Sequence, residues 1–557
     1  MNYVKKYIEE IRAGREAVSR KVRAVYERET GWMDNPPSDP DFVWHFDEDV
    51  GTRPIEFIER FCKHSKGKWA GKPVRLELFQ KAKIQLAFGW IDAAGLRRFR
   101  IAFDVRGRKC GKSTETAGIS LYMLIGDGEP GAECYAVANK LDQAKLVFNE
   151  AVNMRHQSPA IKSLTKKRQS DIYFPATMSI LKAIASDSKT MDGLNAHFFS
   201  QDEIHEARTS KVFDVMIQSQ SAREQPMAWL ISTNGLVREA FFDMQYEYAS
   251  NVALWVDGFE DYRMLPLIYE LDNRDEWSDP SYWAKANPGL GKIKSIQTLK
   301  DNVDKAKRDP SFLPTVLTKD FNIPENSSES WLPYEAVVNE TVVPMDYLRE
   351  SYAIGGCDLS STTDLTCATL LIRKPDDERE FILQKYFLPE MRVNQVERIG
   401  AREAPYRLWA DQGWLKICPG ASVDFHAVTD WFVKMVHDYD IRPLWVCYDR
   451  ALAGYWQNEM SNLGFDMEKI PQGPFTWSSP MKQMGGALAE KRIVYQNNPM
   501  LRWCLLNTGK KSQNKDGIET IQPVKVSSNL RIDGTVSMLN AYVGYLKHYE
   551  DFMRYVR

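Results

Sequence analysis

The loop at residues 106–114, which reads RGRKCGKST, is the feature that most restricts how this chain can fold. It lies between a predicted strand at residues 99–105 and a predicted helix that begins near Lys112. A Gly-Lys-Ser sequence at such a turn directs backbone N–H groups and a helix N-terminus toward phosphates, with a lysine ammonium above them and a hydroxyl for Mg²⁺. The loop therefore predicts a site for a nucleoside triphosphate.

The loop differs from the usual phosphate-binding pattern at its first position. Arg106 stands where a glycine is expected, and Gly107 follows one place late. For this reason, a basic surface loop that happens to contain Gly-Lys-Ser is the alternative interpretation.

Strand and helix patterns alternate from about residue 52 to residue 258. Apolar runs at residues 134–138, 197–199 and 229–231 predict strands, helical spacing separates them, and residues 253–256 are a further strand candidate. Repeated strand-then-helix units predict a mostly parallel sheet covered by helices, which is an α/β fold. Ligands of such sheets bind at the carboxyl ends of the strands.

Two adjacent acids, Asp202 and Glu203, follow one of these predicted strands. Hydrolysis of a phosphoanhydride needs a second anchor for Mg²⁺ and a group that positions water, both beside the phosphate loop. We assign Asp202 to Mg²⁺ through water and Glu203 to orienting the attacking water. Because a strand-terminal Asp-Glu is also common on surfaces, a solvated acidic turn is the alternative.

Two smaller features fit the same site. The Gln80 amide offers both a donor and an acceptor to an adenine edge, and Phe79 beside it is a candidate to stack on the base. The hydroxyl and amide groups of residues 232–234 are candidates to sense the γ-phosphate. Taken alone, each feature is explained equally by a surface glutamine or a polar turn.

The second half of the chain carries acids at the ends of other predicted elements. Strands at residues 352–358, 366–372 and 380–387 precede a helix and a fourth strand at 443–448, the order of a ribonuclease H-like fold. Asp358, Asp449 and Asp533 end or begin these elements. Three carboxylates from separate elements suit a two-metal phosphodiester hydrolase, although any one of them alone is typical of a turn or cap.

Charge and cysteine content restrict the possible functions. The formal net charge of −2 is unlike that of a protein that holds nucleic acid tightly by itself, so any DNA contact is local, transient or shared between subunits. Basic clusters at residues 97–100, 166–168 and 510–511 are interpreted as solvated surface. The eight scattered cysteines predict reduced packing residues, and the absence of a long apolar run predicts a soluble intracellular protein.

Together these motifs resemble one family, the large terminase subunit of tailed bacteriophages, the motor and nuclease that packages viral DNA. The resemblance rests on FQ at 79–80, GRKCGKS at 107–113, DEIHEA at 202–207, STNG at 232–235, DLSSTTDLT at 358–366, YDR at 448–450 and KVSSNLRIDGTVSMLNA at 525–541. Terminases tolerate a basic residue in place of the first glycine of the phosphate loop, so the resemblance also accounts for Arg106.

The resemblance implies an N-terminal P-loop (RecA/ASCE-like) parallel-sheet ATPase domain and a C-terminal ribonuclease H-like mixed-sheet nuclease domain. The first uses ATP with Mg²⁺, and the second uses two Mg²⁺ or Mn²⁺ ions. The implied ATP-binding residues are Gln80, Arg106, Arg108, Lys109, Gly111, Lys112, Ser113, Thr114, Asp202 and Thr233. The implied metal-binding residues are Ser113, Asp202, Asp358, Asp449 and Asp533, and the implied catalytic residues are Glu203, Asp358, Asp449 and Asp533.

The predicted division of the chain has four parts. Residues 1–50 form an N-terminal helical segment, 51–260 the ATPase domain, 261–340 a linker subdomain and 341–557 the nuclease domain. The linker is distinguished by polar helices and by breaks at proline and asparagine.

The predicted function is a viral motor that hydrolyses ATP to move double-stranded DNA into the procapsid and cuts the concatemer. The resemblance further implies a portal protein and a small terminase subunit as partners, and a ring, a pentamer, on the capsid with a monomer when free. It places the protein in the cytoplasm of the infected bacterium and transiently on the procapsid portal, with no membrane. Two other interpretations stay open: a helicase-like ATPase-nuclease of DNA repair or defence, and a structural assembly protein with vestigial sites.

Overall fold

The computed structural model describes residues 1–185, 193–207, 210–236, 241–309, 312–325, 330–362, 364–398, 404–449, 454–515, 518–526 and 530–556. The chain divides into two compact units, Met1–Pro324 and Glu325–Arg557. Three parts of the motifs quoted above, namely Thr363, Arg450 and residues 527–529, lie outside the described residues.

The first unit packs helices on both faces of a large sheet. Its helices are α1 (Tyr3–Arg12), α2 (Arg20–Asp34), α3 (Glu48–Phe61), α4 (Leu78–Gly89), α5 (Lys112–Ile125), α6 (Leu141–Gln157), α7 (Pro159–Leu164), α8 (Lys211–Gln218), α9 (Phe241–Leu254), α10 (Ile296–Arg308) and α11 (Leu313–Phe321). Its strands are β1 (His45–Phe46), β2 (Trp90–Ile91), β3 (Ile101–Val105), β4 (Glu133–Ala138), β5 (Lys166–Lys167), β6 (Asp171–Phe174), β7 (Ser179–Ala185), β8 (Ala196–Asp202), β9 (Met227–Ser232) and β10 (Met264–Ile268).

The large sheet of the first unit has the strand order β10-β3-β9-β8-β4-β7-β6-β5. The pairs from β10 to β7 are parallel, and β6 and β5 add an antiparallel edge. Strands β8 and β9 are buried along their whole length, as expected for a parallel sheet covered on both faces. The predicted parallel sheet is confirmed, and the carboxyl ends of β3, β8 and β9 lie side by side.

One predicted strand is wrong. Residues 253–256 do not form a strand, because Ala253 lies in the last turn of α9, and the next strand along the chain is β10. The apolar residues Val252 and Ala253 are buried by helical packing on the sheet, and a short apolar run does not by itself distinguish a strand from a buried helix turn.

The interpretation of residues 97–100 as solvated surface is also wrong for two of the arginines. Arg98 is buried and its guanidinium pairs with Glu29 of α2 at 2.8 Å, whereas Arg97 pairs with Asp127 at 2.6 Å. The pairing with Glu29 holds the N-terminal helices against the sheet, because an unpaired buried charge is costly. Residues 1–50 therefore pack within the first unit.

The second unit is a mixed sheet with helices on its two faces. Its helices are α12 (Tyr334–Val337), α13 (Met345–Leu348), α14 (Glu390–Arg398), α15 (Tyr406–Asp411), α16 (His426–Tyr439), α17 (Gly454–Asn462), α18 (Pro474–Ala489), α19 (Pro499–Asn507), α20 (Asp533–Lys547) and α21 (Tyr549–Tyr555). Its strands are β11 (Ser351–Asp358), β12 (Thr366–Ile372), β13 (Glu380–Pro389), β14 (Leu415–Cys418), β15 (Ile441–Asp449), β16 (Met467–Ile470), β17 (Ile493–Val494), β18 (Thr508–Lys515) and β19 (Ile518–Lys525).

The sheet of the second unit has the strand order β14-β13-β12-β11-β15-β16. Strands β11, β12 and β13 pair antiparallel, whereas β15 joins β11 in parallel. Helix α20 crosses β11 so closely that a Cβ at Gly356 would lie 2.3 Å from the Ser537 carbonyl oxygen, which requires glycine there. This approach brings the N-terminus of α20 toward the carboxyl ends of β11 and β15.

Within the described part of the chain, we find no helix that combines the length and the apolar character needed to cross a bilayer.

Candidate functional site

A cavity of about 440 Å³ opens beside the phosphate loop in the first unit. Its lining residues are Arg108, Lys109, Gly111, Lys112, Ser113, Thr114, Leu146, Asp202, Glu203, Thr233 and Ile293. Most of them belong to the loop before α5, to the first turn of α5 and to the ends of β8 and β9, whereas Leu146 lies on α6 and Ile293 shortly before α10. The structure thus brings together all the predicted ATP-site residues except Gln80 and Arg106.

The loop is closed by its own lysine. Gly111 caps α5 with a φ of 80°, a left-handed conformation that glycine adopts without strain. The Lys112 Nζ donates to the Arg106 carbonyl oxygen at 2.6 Å and to the Gly107 carbonyl oxygen at 3.3 Å. Burial lowers the pKa of Lys112, although Glu203 opposes that shift. A buried ammonium satisfied only by neutral carbonyls is well suited to receive an anion.

Residues 286–287 and 319–320 form one wall of the phosphate loop. The Gly107 N–H donates to the Ala286 carbonyl oxygen at 2.8 Å, and the Arg108 N–H donates to the Lys319 carbonyl oxygen at 2.7 Å. A Cβ at Gly107 would lie 2.3 Å from the Asn287 Oδ1, so this wall fits only glycine. Gly107, which follows the expected glycine position by one place, is therefore required by packing.

The two acids at the end of β8 differ in ionisation. Burial, together with the charge of Glu203, raises the pKa of Asp202 to about 7. Burial acts in the same direction on Glu203, but His205, Lys112 and Lys319 outweigh it and lower the Glu203 pKa to about 2. Asp202 also accepts a hydrogen bond from the Glu203 N–H at 2.8 Å. Glu203 is the carboxylate that stays ionised at neutral pH.

His205 contacts Glu203 from outside the cavity. Its Nδ1 lies 3.0 Å from Glu203 Oε2 and 3.0 Å from Ser232 Oγ, and its Nε2 contacts the Lys319 Nζ. Because an ammonium only donates, the Lys319 contact assigns Nε2 as the acceptor and Nδ1–H as the donor. Ser232 Oγ, which donates to the Thr233 carbonyl oxygen, accepts from Nδ1–H, and Glu203 Oε2 lies beside the same N–H. Burial lowers the pKa of His205, consistent with a neutral ring.

Arg106 points away from the cavity into a buried charge cluster, which we define as Lys83, Asp104, Arg106 and Glu115. The Arg106 Nη2 lies 3.0 Å from Asp104 Oδ2 and 3.0 Å from Glu115 Oε2. Lys83 pairs with the same two acids, at 2.5 Å to Asp104. Burial opposes ionisation of Asp104, but Arg106 and Lys83 outweigh it and lower its pKa.

The charge cluster predicts a large effect on stability. Lys83→Met would leave two buried carboxylates facing one guanidinium, so we expect the free energy of unfolding to fall by about 3–5 kcal/mol. Urea unfolding followed by circular dichroism measures the change. The matched control is Lys5→Met, which removes an exposed pair with Asp34 and should cost at most about 1 kcal/mol. A loss in Lys83→Met no larger than in the control would contradict the prediction.

Gln80 lies behind the loop beside a neighbouring cavity of about 530 Å³. Its Oε1 accepts from the Glu77 N–H at 3.0 Å and its Nε2 donates to Glu115 at 2.8 Å. Gly111, Thr114 and Ile293 line both cavities. Phe79 does not reach this cavity, because its ring is buried against Arg106 and Tyr269.

The three carboxylates of the second unit meet at one end of its sheet. Asp358 ends β11, Asp449 ends β15 and Asp533 begins α20. Burial and the charges of Asp533 and Asp449 raise the pKa of Asp358. Burial also raises the pKa of Asp533, although Lys525 and Arg531 oppose this shift. A buried carboxyl group whose ionisation is opposed by neighbouring negative charges attracts cations.

The donor set at this end of the sheet suits divalent cations, which prefer carboxylate oxygens. Asp533 Oδ2 is buried and makes no hydrogen bond within the described ranges. In those same ranges no three His, Cys, Asp or Glu side chains are arranged to hold a metal ion. Nearby Asp364 instead pairs with Lys525, at 3.2 Å, and with Arg531.

Sequence reasoning missed His205, Lys319 and the charge cluster. His205 lies inside the DEIHEA motif, so its position two residues after Glu203 was an available signal. Lys319 is 114 residues from His205 along the chain, and no local pattern connects the two.

Two family models match the chain. The model for the ATPase domain of the terminase large subunit matches residues 78–251. The model for the endonuclease domain of the terminase large subunit matches residues 259–549, more than half of the chain. The chain therefore belongs to the terminase large subunit family.

The chain is also similar to individual phage proteins. The terminase large subunit of Enterobacteria phage HK97 is 28% identical over 504 residues, which cover 88% of this chain and 94% of the relative. That of Lactococcus phage p2 is 22% identical over 526 residues, covering 90% and 92%. The crystal structure of the HK97 bacteriophage large terminase is 25% identical, covers 89% of this chain and 99% of its own, and has a TM-score of 0.48.

The predicted class, the α/β fold with an ATPase and a nuclease domain, and the function in packaging and cutting phage DNA are confirmed. The protein is an enzyme that uses a nucleotide and a divalent metal and acts with DNA and the packaging machinery. Both matches are to terminase domains, so we set aside the alternatives of a repair helicase-nuclease and of a purely structural protein.

Proposed function

We propose that Lys112 and Ser113 hold the ATP phosphates and Mg²⁺, that Asp202 binds the ion through water, and that Glu203 orients the attacking water. The observation that carries this assignment is that the four residues line one cavity at the carboxyl ends of parallel strands. Glu203 accepts a hydrogen bond from water at neutral pH, because its pKa of about 2 keeps it ionised. The bound ion would supply positive charge beside the γ-phosphate.

The other residues of the ATP site fall into two groups. Those that line the cavity, and that we assign to the phosphates, are Arg108, Lys109, Gly111, Thr114 and Thr233. Those behind the loop are Gln80 and Arg106, which we assign to holding the loop through Glu115. Gln80 also lines the neighbouring cavity, which we assign to the nucleotide base.

In the second unit, we propose that Asp358, Asp449 and Asp533 bind two Mg²⁺ or Mn²⁺ ions and catalyse cleavage of DNA. The effect of the Asp533 and Asp449 charges on Asp358 supports this, because it requires the three carboxylates to lie near one another at one end of the sheet. Two cations there would stabilise the attacking and leaving oxygens of the phosphodiester.

We also propose the wider organisation of the motor. Residues 51–260 serve as the ATPase domain and 341–557 as the nuclease domain, with a helical segment at 1–50 and a linker subdomain at 261–340. The partners are double-stranded viral DNA, the portal protein and the small terminase subunit, with a pentameric ring on the capsid and a monomer when free. The site of action is the cytoplasm of the infected bacterium and, transiently, the procapsid portal.

The test measures ATP turnover and DNA cleavage together. The full chain is incubated with linear or supercoiled DNA, with and without Mg²⁺ or Mn²⁺, and with purified portal and small subunit added in turn. We expect cleavage and ATP turnover to need a divalent ion, and the partners to stimulate ATP turnover. Metal-independent cleavage would contradict the nuclease assignment. An ATP turnover rate that does not change when the portal or the small subunit is added would contradict the proposed assembly.

His205 is predicted to be a positioning residue for Glu203. We expect His205→Ala to lower kcat for ATP by about 10- to 100-fold, the usual cost of losing a residue that orients a functional group, with KM unchanged because His205 does not line the cavity. His205→Asn, which keeps a donor near Nδ1, should recover part of the loss. Steady-state kinetics checks both values, and an unchanged kcat in His205→Ala would remove the proposed role.

A further inference from the structure

A separate cavity of about 390 Å³ lies in the second unit, lined by β13, by residues before and in β14, and by α16. It is on the opposite face of the sheet from α20. Gln384 of β13 turns toward α20, where its Nε2 donates to the Gly534 carbonyl oxygen at 2.9 Å. Because side chains alternate along a strand, Lys385 turns the other way, into this cavity.

Three lysines give the cavity a positive charge. Lys385 is half-buried, and Lys416 and Lys434 are exposed at the rim. Burial, and then the charges of Lys434 and Lys416, lower the pKa of Lys385, so the three ammonium groups are close enough to interact. In the part of the chain that the structure describes, none of the three forms a salt bridge, and Lys385 donates only to the Gly413 carbonyl oxygen. Asp430, the one acid in the lining, lies 3.5 Å from His426.

Two tryptophans supply aromatic surface to the same cavity. Trp414, just before β14, and Trp431, on α16, are both half-buried and both line it. Indole rings left partly open beside ammonium groups are the combination by which proteins hold a nucleic-acid base and its phosphate.

We propose that this cavity binds one nucleotide unit, with its base against Trp414 or Trp431 and its phosphate among Lys385, Lys416 and Lys434. The volume is in the range of small-ligand sites and is too small for a duplex. Lysine ammonium groups bind phosphate as point charges, without the planar fork that arginine offers to both carboxylate and phosphate. The nucleotide unit is either a free nucleotide or the terminal residue of a DNA strand. The inference depends on the chain acting on DNA, not on the roles of the three aspartates.

The first test locates the base. The full chain is irradiated in EDTA, which prevents metal-dependent cleavage, with a 5′-phosphorylated tetranucleotide that carries 5-iododeoxyuridine at its 5′ end. Mass spectrometry then maps the crosslinked peptides. We expect crosslinks at Trp414 or Trp431, and crosslinking confined to other peptides would overturn the proposal.

The second test measures the phosphate contacts. Fluorescence anisotropy of a labelled tetranucleotide in EDTA gives its Kd for the full chain, for Lys416→Ala/Lys434→Ala and for Lys374→Ala/Lys547→Ala. The control pair also removes two positive charges, but these lie near the end of the sheet that is farther from Asp358. We expect about tenfold weaker binding in the first variant. The slope of log K against log salt concentration should also become shallower by about 1.4, because two phosphate contacts are lost. The control should stay within about twofold of the parent. Equal binding by all three proteins would overturn the proposal.

Competition then distinguishes the two sources of the nucleotide. Displacement of the oligonucleotide by 5′-dAMP indicates that the cavity accepts a free nucleotide, and displacement only by unlabelled oligonucleotide indicates a strand end. Displacement by an acidic peptide at least as effective as that by the unlabelled oligonucleotide would overturn the assignment in favour of a protein partner. DNA cleavage in Mg²⁺ is measured on the same variants. The binding assay then tests the nucleotide cavity, and the cleavage assay tests the aspartate assignment, so either hypothesis can fail without the other.

Discussion

Lys112→Ala is expected to reduce ATP turnover by roughly 10²- to 10³-fold, comparable to removing one donor that stabilises developing charge in a preorganised site. The ammonium lies in the cavity, and its hydrogen bonds within the described residues are to the carbonyl oxygens of Arg106 and Gly107, so it can transfer to phosphate when ATP enters. Metal-dependent DNA cleavage by the same full-length variant should stay near the parent level.

The matched control is Lys300→Ala, which removes an exposed lysine on α10 outside the cavity. It should leave both activities unchanged. Phosphate release and gel-based cleavage assays on the same preparations give the two rates. If Lys112→Ala retained parental ATP turnover, the phosphate loop would not be the hydrolytic site.

Asp358→Asn should have the opposite effect. We expect cleavage to fall by more than about 100-fold, because loss of residues that merely orient metal ligands already costs 10- to 100-fold. ATP turnover should be retained. Neutralising Asp358 also removes its repulsion with Asp533 and Asp449, so the folded unit should be no less stable, and any loss of cleavage reports on chemistry.

Asp346→Asn is the comparison for this substitution. Asp346 is an exposed acid of the second unit that pairs only at the surface with Arg349, so its loss should leave cleavage intact. Thermal unfolding of both variants confirms that they are folded. Retained cleavage by Asp358→Asn would exclude this residue from the nuclease site.

The parts of the fold that follow local patterns were predictable. Asp202, Asp358 and Asp449 end strands whose apolar runs are visible in the sequence, and parallel topology then brings strand ends together. Residues 253–256 were misassigned because four apolar residues have no period that distinguishes a helix turn from a strand.

The electrostatic details were not predictable in this way. Arg98 and Arg106 resemble surface residues by type, and only their distant partners make burial possible. The contact of His205 with Lys319 joins segments far apart in sequence, so it depends on how α11 packs against the phosphate loop. Such pairings are set by tertiary packing, which no local window contains.

Arg106 has a further consequence for how this loop can change in evolution or by design. The charge cluster is neutral, with two cations and two anions. Restoring the common glycine at Arg106 in one step would leave an uncompensated buried carboxylate. Before Arg106 can be replaced by the glycine that is usual at this position of the loop, Asp104 or Glu115 must be replaced by a neutral residue. The four positions are therefore expected to be inherited, or transplanted into another motor, as a set.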